Sequence, residues 1–430
     1  MIGPFGMEPR GTMRVRALPM AQALVGRGHT VSILLPPWQN PEAAGDRREE
    51  GGVSIENVHL PPAIPGLFHG MMALRLARRA LALRPDVVHL FKPKAYSGLV
   101  HWLLACVPRG HRPRVVVDAD DWEGPGGWNE LGDYAPLQRH FFAWQERWGL
   151  THADAITVAS RTLESLVWAM GVPPECVHYV PNGVLQDGPR AQSEGRGQGA
   201  NILLYTRFFE FPVSRVIDLV QLVRAQVPQA QLLIVGKGLF GEEEELFRLA
   251  AEAGLGVACP SSSPETELMS PHLEHAFEGV SDRSTPSPRP TRSPSAEVRP
   301  STPSPITYAG WVPSDDLPCY FARADVAIYP FDDTLVNRAK CAVKLIDLLA
   351  TGVPVVAEAV GQNREYIRSG ETGLLVEPGD LDAFAKSVIR LLQSPLLRLS
   401  LGRTAARDVQ ERFNWQRLVE TVERAYGSGR

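Results

Sequence analysis

Three groups of residues in the sequence have types and spacing that could do chemistry. The run Asp118-Ala-Asp-Asp-Trp-Glu123 sets several carboxylates close together. Paired carboxylates of this kind suit Mg²⁺ or Mn²⁺. The same acids can equally close a strand end by hydrogen-bonding the Gly-rich turn that follows. The second group is the lysines, only six of the 44 basic residues. Lys92 and Lys94 follow an apolar run ending at Phe91, and Lys237 follows one ending at Val235. Lys340 and Lys344 bracket the start of a helical segment at Cys341, whereas Lys386 sits mid-helix. Any one of them reads equally well as solvated charge. As a set, ammonium groups at strand ends and helix N-termini suit an anion, so a phosphate-bearing substrate is expected. The third group is the glycine loop Gly3 to Gly11, just ahead of a helix that runs to about Val25. Such a loop lets backbone N–H groups approach an anion. It lacks GxGxxG spacing, and the next strand ends at Pro36-Pro37-Trp38 with no acid for a ribose, which argues against hydride transfer.

These residues need elements to hold them, and the pattern supplies two series. Apolar runs at Val31–Leu35, Val53–Leu60, Asp86–Phe91, Arg114–Asp118, Ala155–Ala159 and Val177–Val180 read as strands. A second set follows at Ile202–Tyr205, Gln231–Val235, Ile306–Gly310, Asp325–Tyr329, Pro354–Ala357 and Gly373–Val376. Between them lie helical segments such as Leu67–Leu83, Pro136–Leu150, Ser214–Val227 and Leu381–Leu392. Continuous apolar strands between helices predict parallel sheets covered on both faces. The fold class is therefore α/β, with two doubly wound Rossmann-like domains and ligands at the carboxyl ends of the strands. The boundary is read at Pro181-Asn182-Gly183 and the polar stretch after it, giving residues 1–185, residues 186–410 and a C-terminal helical segment over 411–430.

Several classes are excluded by composition. A net charge of −4 gives no whole-chain argument for a nucleic-acid partner. Five cysteines without CxxC spacing argue against a disulfide framework or a zinc site and point to a reducing cytoplasm. The start carries no secretory h-region and no window is long enough to span a membrane. The Pro/Ser-rich stretch 260–305 reads as a disordered insertion. The first strand looks clipped at Met1-Ile2-Gly3, so a start upstream is expected. Leu67–Arg84 is basic and amphipathic; it suits either an anionic membrane or a surface helix packed on the sheet. The aromatics between Trp122 and Trp148 suit either stacking on a sugar or lipid acceptor or core packing.

Gly310-Trp-Val-Pro-Ser-Asp-Asp-Leu-Pro, Lys344-Leu-Ile-Asp-Leu-Leu-Ala-Thr-Gly-Val-Pro and Thr372-Gly-Leu-Leu-Val-Glu-Pro-Gly-Asp380 resemble the second domain of retaining GT-B glycosyltransferases of the GT4 family. The glycine loop, Arg27-Gly-His-Thr-Val31, Asp86-Val-Val-His89, the Pro181-Asn-Gly-Val184 linker and Arg412-Phe-Asn-Trp415 are similar to that family as well. The resemblance implies two domains facing a central cleft. The first would bind the acceptor and the second the nucleotide sugar, with the terminal helix crossing back.

Position by position, the resemblance puts Gly11 beside the donor diphosphate and Arg207 on a phosphate. Lys237 and Gly238 fall where the nucleotide passes, and Val312 where a backbone group meets the base. The family lysine shortly after that arginine is missing, since Pro212 and Val213 stand there; Arg215, Lys340 or Lys344 would have to replace it. Of the family's two glutamates eight residues apart, the second corresponds to Asp347 and the first to Ala339, which cannot hold a sugar hydroxyl. Asp120 or Asp121 corresponds to positions facing the acceptor and the reacting carbon, where a carboxylate takes the acceptor proton or stabilises oxocarbenium charge. No metal and no obligatory cofactor are implied.

The expected function is retaining transfer from a UDP- or GDP-sugar to a hydroxyl on a glycan, lipid-linked or small acceptor. The expected place is the cytoplasm, with peripheral contact at the inner face of the cell membrane. Two rivals stand beside it: a GT-B epimerase or phosphorylase, and a non-catalytic sugar-nucleotide binder motivated by Ala339.

Overall fold

The computed structural model describes residues 1–7, 11–108, 110–132, 134–185, 199–259 and 304–427. Most of the polar stretch after Gly183, and nearly all of the Pro/Ser-rich segment, lie outside the described residues.

In the N-terminal half, the apolar runs form β1 (Ser32–Leu35), β3 (Val53–Asn57), β4 (Val87–Phe91), β5 (Arg114–Ala119), β6 (Ala155–Val158) and β7 (Val177–Tyr179). A polar strand, β2 (Arg47–Glu50), is added antiparallel to β3 through Gly51-Gly52, both at positive φ. Two left-handed residues in a tight hairpin favour glycine, and the exposed Arg-Arg-Glu-Glu edge resists pairing with another chain. Ile2 bridges β1 and β4: its N–H donates to the His89 carbonyl at 2.8 Å, and its own carbonyl accepts from Phe91 N at 3.0 Å. The sheet therefore runs β2-β3-β1-Ile2-β4-β5-β6-β7. Its order reverses beside Ile2, which opens a crevice at the ends of β4 and β5.

The C-terminal half holds β8 (Asn201–Tyr205), β9 (Gln231–Val235), β10 (Val257–Ala258), β11 (Ile306–Tyr308), β12 (Val326–Tyr329), β13 (Val355–Glu358) and β14 (Leu374–Val376). Every pairing is parallel, in the order β10-β11-β9-β8-β12-β13-β14. The reversal falls between β8 and β12, so the second crevice opens beyond Tyr205 and Tyr329.

Two chain crossings tie the halves together. Val184 N donates to the Phe413 carbonyl at 2.8 Å, and Trp415 N donates back to the Val184 carbonyl at 3.1 Å. The helix Trp415–Tyr426 then lies on the first sheet, with Trp415, Val419 and Val422 buried among Met20, Leu24 and Ile33. A buried ion pair fixes the glycine-loop helix to β5: Arg16 Nε and Nη2 each donate to Asp118 at 2.7 Å. Arg16 also donates to Asn182 Oδ1 and the Val180 carbonyl, so this pair is satisfied rather than costly.

Among the described residues, no helix is long and apolar enough to cross a membrane. The basic helix Phe68–Ala82 packs Met72, Leu76 and Ala80 into the core. Its Arg75 donates to the His59 and Leu60 carbonyls and its Arg79 grips Glu56, so the surface-helix reading fits it.

Candidate functional site

Asp118 is removed from the acidic run by Arg16, and the other acids turn into the first crevice. Lys92, at the end of β4, is the hub. Its backbone has φ 57°, a left-handed conformation that costs free energy in a residue with a side chain. This bend puts Nζ 2.7 Å from Asp121 Oδ2, 3.2 Å from Asp120 Oδ1 and 3.7 Å from Glu123 Oε1. Lys94 Nζ reaches Glu123 Oε2 at 2.7 Å and Asn129 Oδ1 at 3.0 Å, between the rings of Tyr134 and Phe142. From below, the helix Pro136–His152 sends Gln145 to Ala95 N and Glu146 to Glu123 N.

Burial opposes the charge on Lys92, but Asp120, Asp121 and Glu123 outweigh it and hold the ammonium well above its ordinary value. Burial, aided by Asp120 and against the pull of Lys92, pushes Asp121 up. Burial also pushes Glu146 up to about 8. The expectation that Lys92 and Lys94 meet a phosphate is corrected here: carboxylates neutralise both. The acidic pair read as able to hold a divalent cation converges on an ammonium group instead. Among the described residues, no group of three or more His, Cys, Asp or Glu is placed to share a metal ion.

The second crevice gathers most of the remaining expected residues. Arg207 is exposed on the loop after β8, which Thr206 shapes by accepting from Phe208 N at 2.7 Å. A Cβ on Gly236 would lie 1.8 Å from the Thr206 carbonyl, so the loop carrying Lys237 and Gly238 presses directly on the Arg207 loop. Gly236 N donates to the Gly310 carbonyl at 2.7 Å, which brings in the segment of Val312. Gly238 N donates to Glu243 Oε1 at 2.6 Å, so this N–H has a partner within its own turn. Gly11 lies exposed at the start of the first helix, with its carbonyl accepting from Val15 N at 2.8 Å.

Lys340 and Lys344 enter from the β12 side. Lys340 Nζ is paired with the buried carboxylate of Glu210 and rests over the Phe209 and Phe331 rings. Burial works against the Glu210 charge, yet Lys340 and Lys344 hold it below its ordinary value. Lys344 lies over the Tyr205 ring at 5.3 Å. Burial drives Lys344 down to about 7, with Lys340 and Arg207 adding to the shift and Glu210 opposing it. Burial likewise drives Asp347 up to about 7, against Lys344. Arg215 cannot stand in for the missing lysine, because Glu358 and Asp332 hold its guanidinium at 3.0 and 2.5 Å.

The two crevices meet at residues 339–342. Ala339 and Cys341 pack in the hydrophobic cluster of the first half, beside Trp122 and Ala159. Ser160 Oγ donates to the Ala339 carbonyl at 2.8 Å. Gln362 accepts from Ala342 N at 2.6 Å and donates to the Ala159 carbonyl at 2.5 Å. Asp120 and Asp121 act on the Cys341 thiol, which burial pushes up. Thus Lys340 of the second half stands one residue from a side chain within electrostatic reach of the acids of the first. Around this join, Trp128 packs at a tilt against Phe209 with ring centres 4.8 Å apart, and Glu365 accepts from Arg161 N and Tyr179 OH.

Residues 11–183 match the glycosyl transferase 4-like domain, and residues 287–394 match the glycosyl transferases group 1 domain. The phosphatidyl-myo-inositol mannosyltransferase of Mycobacterium leprae is 33% identical over 448 aligned positions, covering 99% of this chain and 95% of that protein. The chain is a GT-B glycosyltransferase of the group 1 family. A second relative of this glycosyltransferase is the GDP-mannose-dependent alpha-(1-6)-phosphatidylinositol monomannoside mannosyltransferase of Mycobacterium tuberculosis, 23% identical across 92% of this chain and 89% of that one. The solved structure of Anabaena HepE, in complex with UDP and glucose, matches the fold of the glycosyltransferase with a TM-score of 0.65. It is 14% identical and covers 99% of this chain and 98% of that chain.

The sequence missed Glu210, Glu146 and the Ser160–Ala339 join. A lone glutamate inside Phe208-Phe-Glu-Phe-Pro212 was the available signal, because a charged group in an apolar run needs a buried partner.

Proposed function

We propose that this glycosyltransferase moves a hexosyl unit from a UDP- or GDP-sugar to an acceptor hydroxyl, with retention of configuration. Residues 186–410 hold the donor and residues 1–185 the acceptor. The observation that carries the reading is the join at residues 339–342, which sets a cationic crevice against an acidic one. A leaving diphosphate suits Arg207 and Lys344, with Lys340 held at the rim by Glu210. Its approach favours the charged form of Lys344, which desolvation alone disfavours. Asp347 would accept from donor hydroxyls. Lys237, Gly238 and Val312 lie on adjoining loops suited to the nucleoside, and Gly11 faces the diphosphate from the first half.

Across the join, Asp120 or Asp121 takes the proton of the acceptor hydroxyl or stabilises positive charge at the reacting carbon. Lys92 is a positioning residue that pairs with both carboxylates and orients them. Closure of the halves excludes water and orders the reactants. The two relatives named for phosphatidylinositol acceptors support a lipid-linked acceptor and a mannosyl donor here.

A thermal-shift panel of UDP-, GDP- and ADP-sugars tests the donor site, and stabilisation by at least one is expected. The anomeric configuration of the product, read by NMR, tests retention; an inverted product would refute that part. Ala339, packed away in the interface, favours one rival, a sugar-nucleotide binder without turnover. Nucleotide diphosphate released only when acceptor is supplied would dismiss it.

A further inference from the structure

We propose that the outer face of helix Pro136–His152, with the adjoining face of helix Ala95–Ala105, docks the enzyme onto an anionic lipid surface. The proposal rests on the lipid-acceptor reading above and names the surface that serves it.

Leu137 is 84% exposed, Trp144 48%, Phe141 40% and, on the neighbouring helix, Trp102 50%. On the first helix the spacing of Leu137, Phe141, Trp144 and Trp148 is i, i+4, i+7 and i+11, so they line one face. Their rings form a ladder, with centres 5.9 Å apart between Phe141 and Trp144 and 6.1 Å between Trp144 and Trp148. A soluble surface exposes large apolar side chains singly; a contiguous row of this kind marks an interaction site.

Charge selects the occupant. Between Pro136 and His152 the only acid is Glu146, which is buried, and helix Ala95–Ala105 has none. Arg147 is exposed beside the aromatics, whereas Arg139 turns to the other side and donates to the Tyr134 and Gly132 carbonyls. A second copy of this chain would set Arg147 against its own equivalent with no exposed carboxylate of this helix to answer it. A glycan would find in Leu137 nothing to hydrogen-bond. An anionic bilayer answers both features, because aromatic rings settle at the headgroup level and arginines meet lipid phosphates. The basic helix Phe68–Ala82 is the weaker candidate, since its Arg75 and Arg79 are engaged within the fold.

The inner face of the same helix carries Gln145 and Glu146, which support Ala95 and Glu123 beneath the acidic crevice. Docking by the outer face would therefore hold that crevice near the lipid surface from which an acceptor headgroup rises.

The test is cosedimentation with vesicles of phosphatidylglycerol and phosphatidylcholine, comparing the full chain with Leu137→Ser/Trp144→Ser. Wild type is expected to bind, with a blue shift of tryptophan emission and weakening in high salt. The double variant should bind roughly tenfold less or worse, because two exposed apolar side chains no longer enter the bilayer. It should keep the wild-type thermal shift with nucleotide, which shows that it is folded. The variant Leu67→Ser/Leu74→Ser should bind vesicles as wild type does. Unaltered binding by Leu137→Ser/Trp144→Ser, loss confined to Leu67→Ser/Leu74→Ser, displacement of bound protein by soluble mannan, or no vesicle binding by wild type would each overturn the proposal. Any of these with nucleotide binding intact leaves the transferase reading standing. Vesicle binding as expected, without stabilisation by any nucleotide, upholds the docking face and refutes the donor site instead.

Discussion

Ser160 Oγ donates to the Ala339 carbonyl at 2.8 Å, and this bond fastens the Ala339 segment of the second half onto the end of β6. The position at which a family carboxylate would reach for the sugar is thereby a packing position. In the proposed reading, orientation of the donor would fall to Asp347 and to the loops around Arg207.

Lys92 neutralises a cluster that cannot survive without it. Lys92→Met would leave Asp120 and Asp121 buried without their cation, Glu123 keeping Lys94, and should lower stability by about 3–5 kcal/mol. The penalty should shrink in acid, where the carboxyls bind protons, and should be partly relieved in Lys92→Met/Asp121→Asn. Denaturant unfolding from pH 4 to pH 8 would check this; a pH-independent loss would remove the electrostatic explanation.

Asp347, proposed to meet the donor sugar, costs the fold stability. Its folded pKa of about 7 lies above that of an unfolded aspartate. The folded state therefore binds the proton more tightly, and ionisation destabilises it as pH rises towards 7. Asp347→Asn should raise Tm by about 2–4 °C for each kcal/mol recovered. The gain should be full above pH 7 and vanish as pH falls through the ordinary aspartate range. The same variant should weaken binding of the donor sugar. Scanning calorimetry across pH decides the first part.

Gln362 bridges Ala342 N and the Ala159 carbonyl from a fully buried position. Gln362→Ala leaves both groups unpaired whenever the halves close, at a cost of about 1–3 kcal/mol for each buried group. Acceptor-dependent turnover should fall while nucleotide affinity changes little, and small-angle scattering should show a larger radius of gyration. An unchanged scattering curve with unchanged turnover would mean that the bridge does not control closure.

Cys341 reports the same motion chemically. It is buried in the join, whereas Cys106, Cys259 and Cys319 are exposed. A maleimide should label those three quickly and Cys341 slowly, at a rate set by opening, and a bound nucleotide should slow it further. Cys341 labelling as fast as that of the exposed thiols would show the join to be open in solution.

Much of the fold was legible because each apolar run is a buried parallel strand. The run Gln231–Val235 coincides with β9, and helix Trp415–Tyr426 falls where the sequence placed it. The polar strand Arg47–Glu50 escaped because it lies at an edge and buries nothing. Ile2 escaped because one residue cannot show a period. At the site, Lys344 was legible as a cation at a helix start, whereas Arg207 and Asp347 came only with the family resemblance. Their neutralising partners were not. Lys92 meets its acids across 29 residues and Lys340 meets Glu210 across 130, and local pattern is blind to pairings that only the folded topology creates.

In the proposed mechanism the cationic crevice binds the diphosphate while the acidic crevice serves the acceptor. Calorimetric titration of UDP and GDP into wild type, Arg207→Ala, Lys344→Ala and Asp121→Asn tests it most directly. At least one nucleotide should bind wild type and bind Arg207→Ala and Lys344→Ala about tenfold more weakly or worse, as expected when a charge-assisted hydrogen bond to phosphate is lost. Asp121→Asn should bind like wild type and lose turnover. Equal affinity in all four proteins, or no binding of either nucleotide to wild type, would contradict the account.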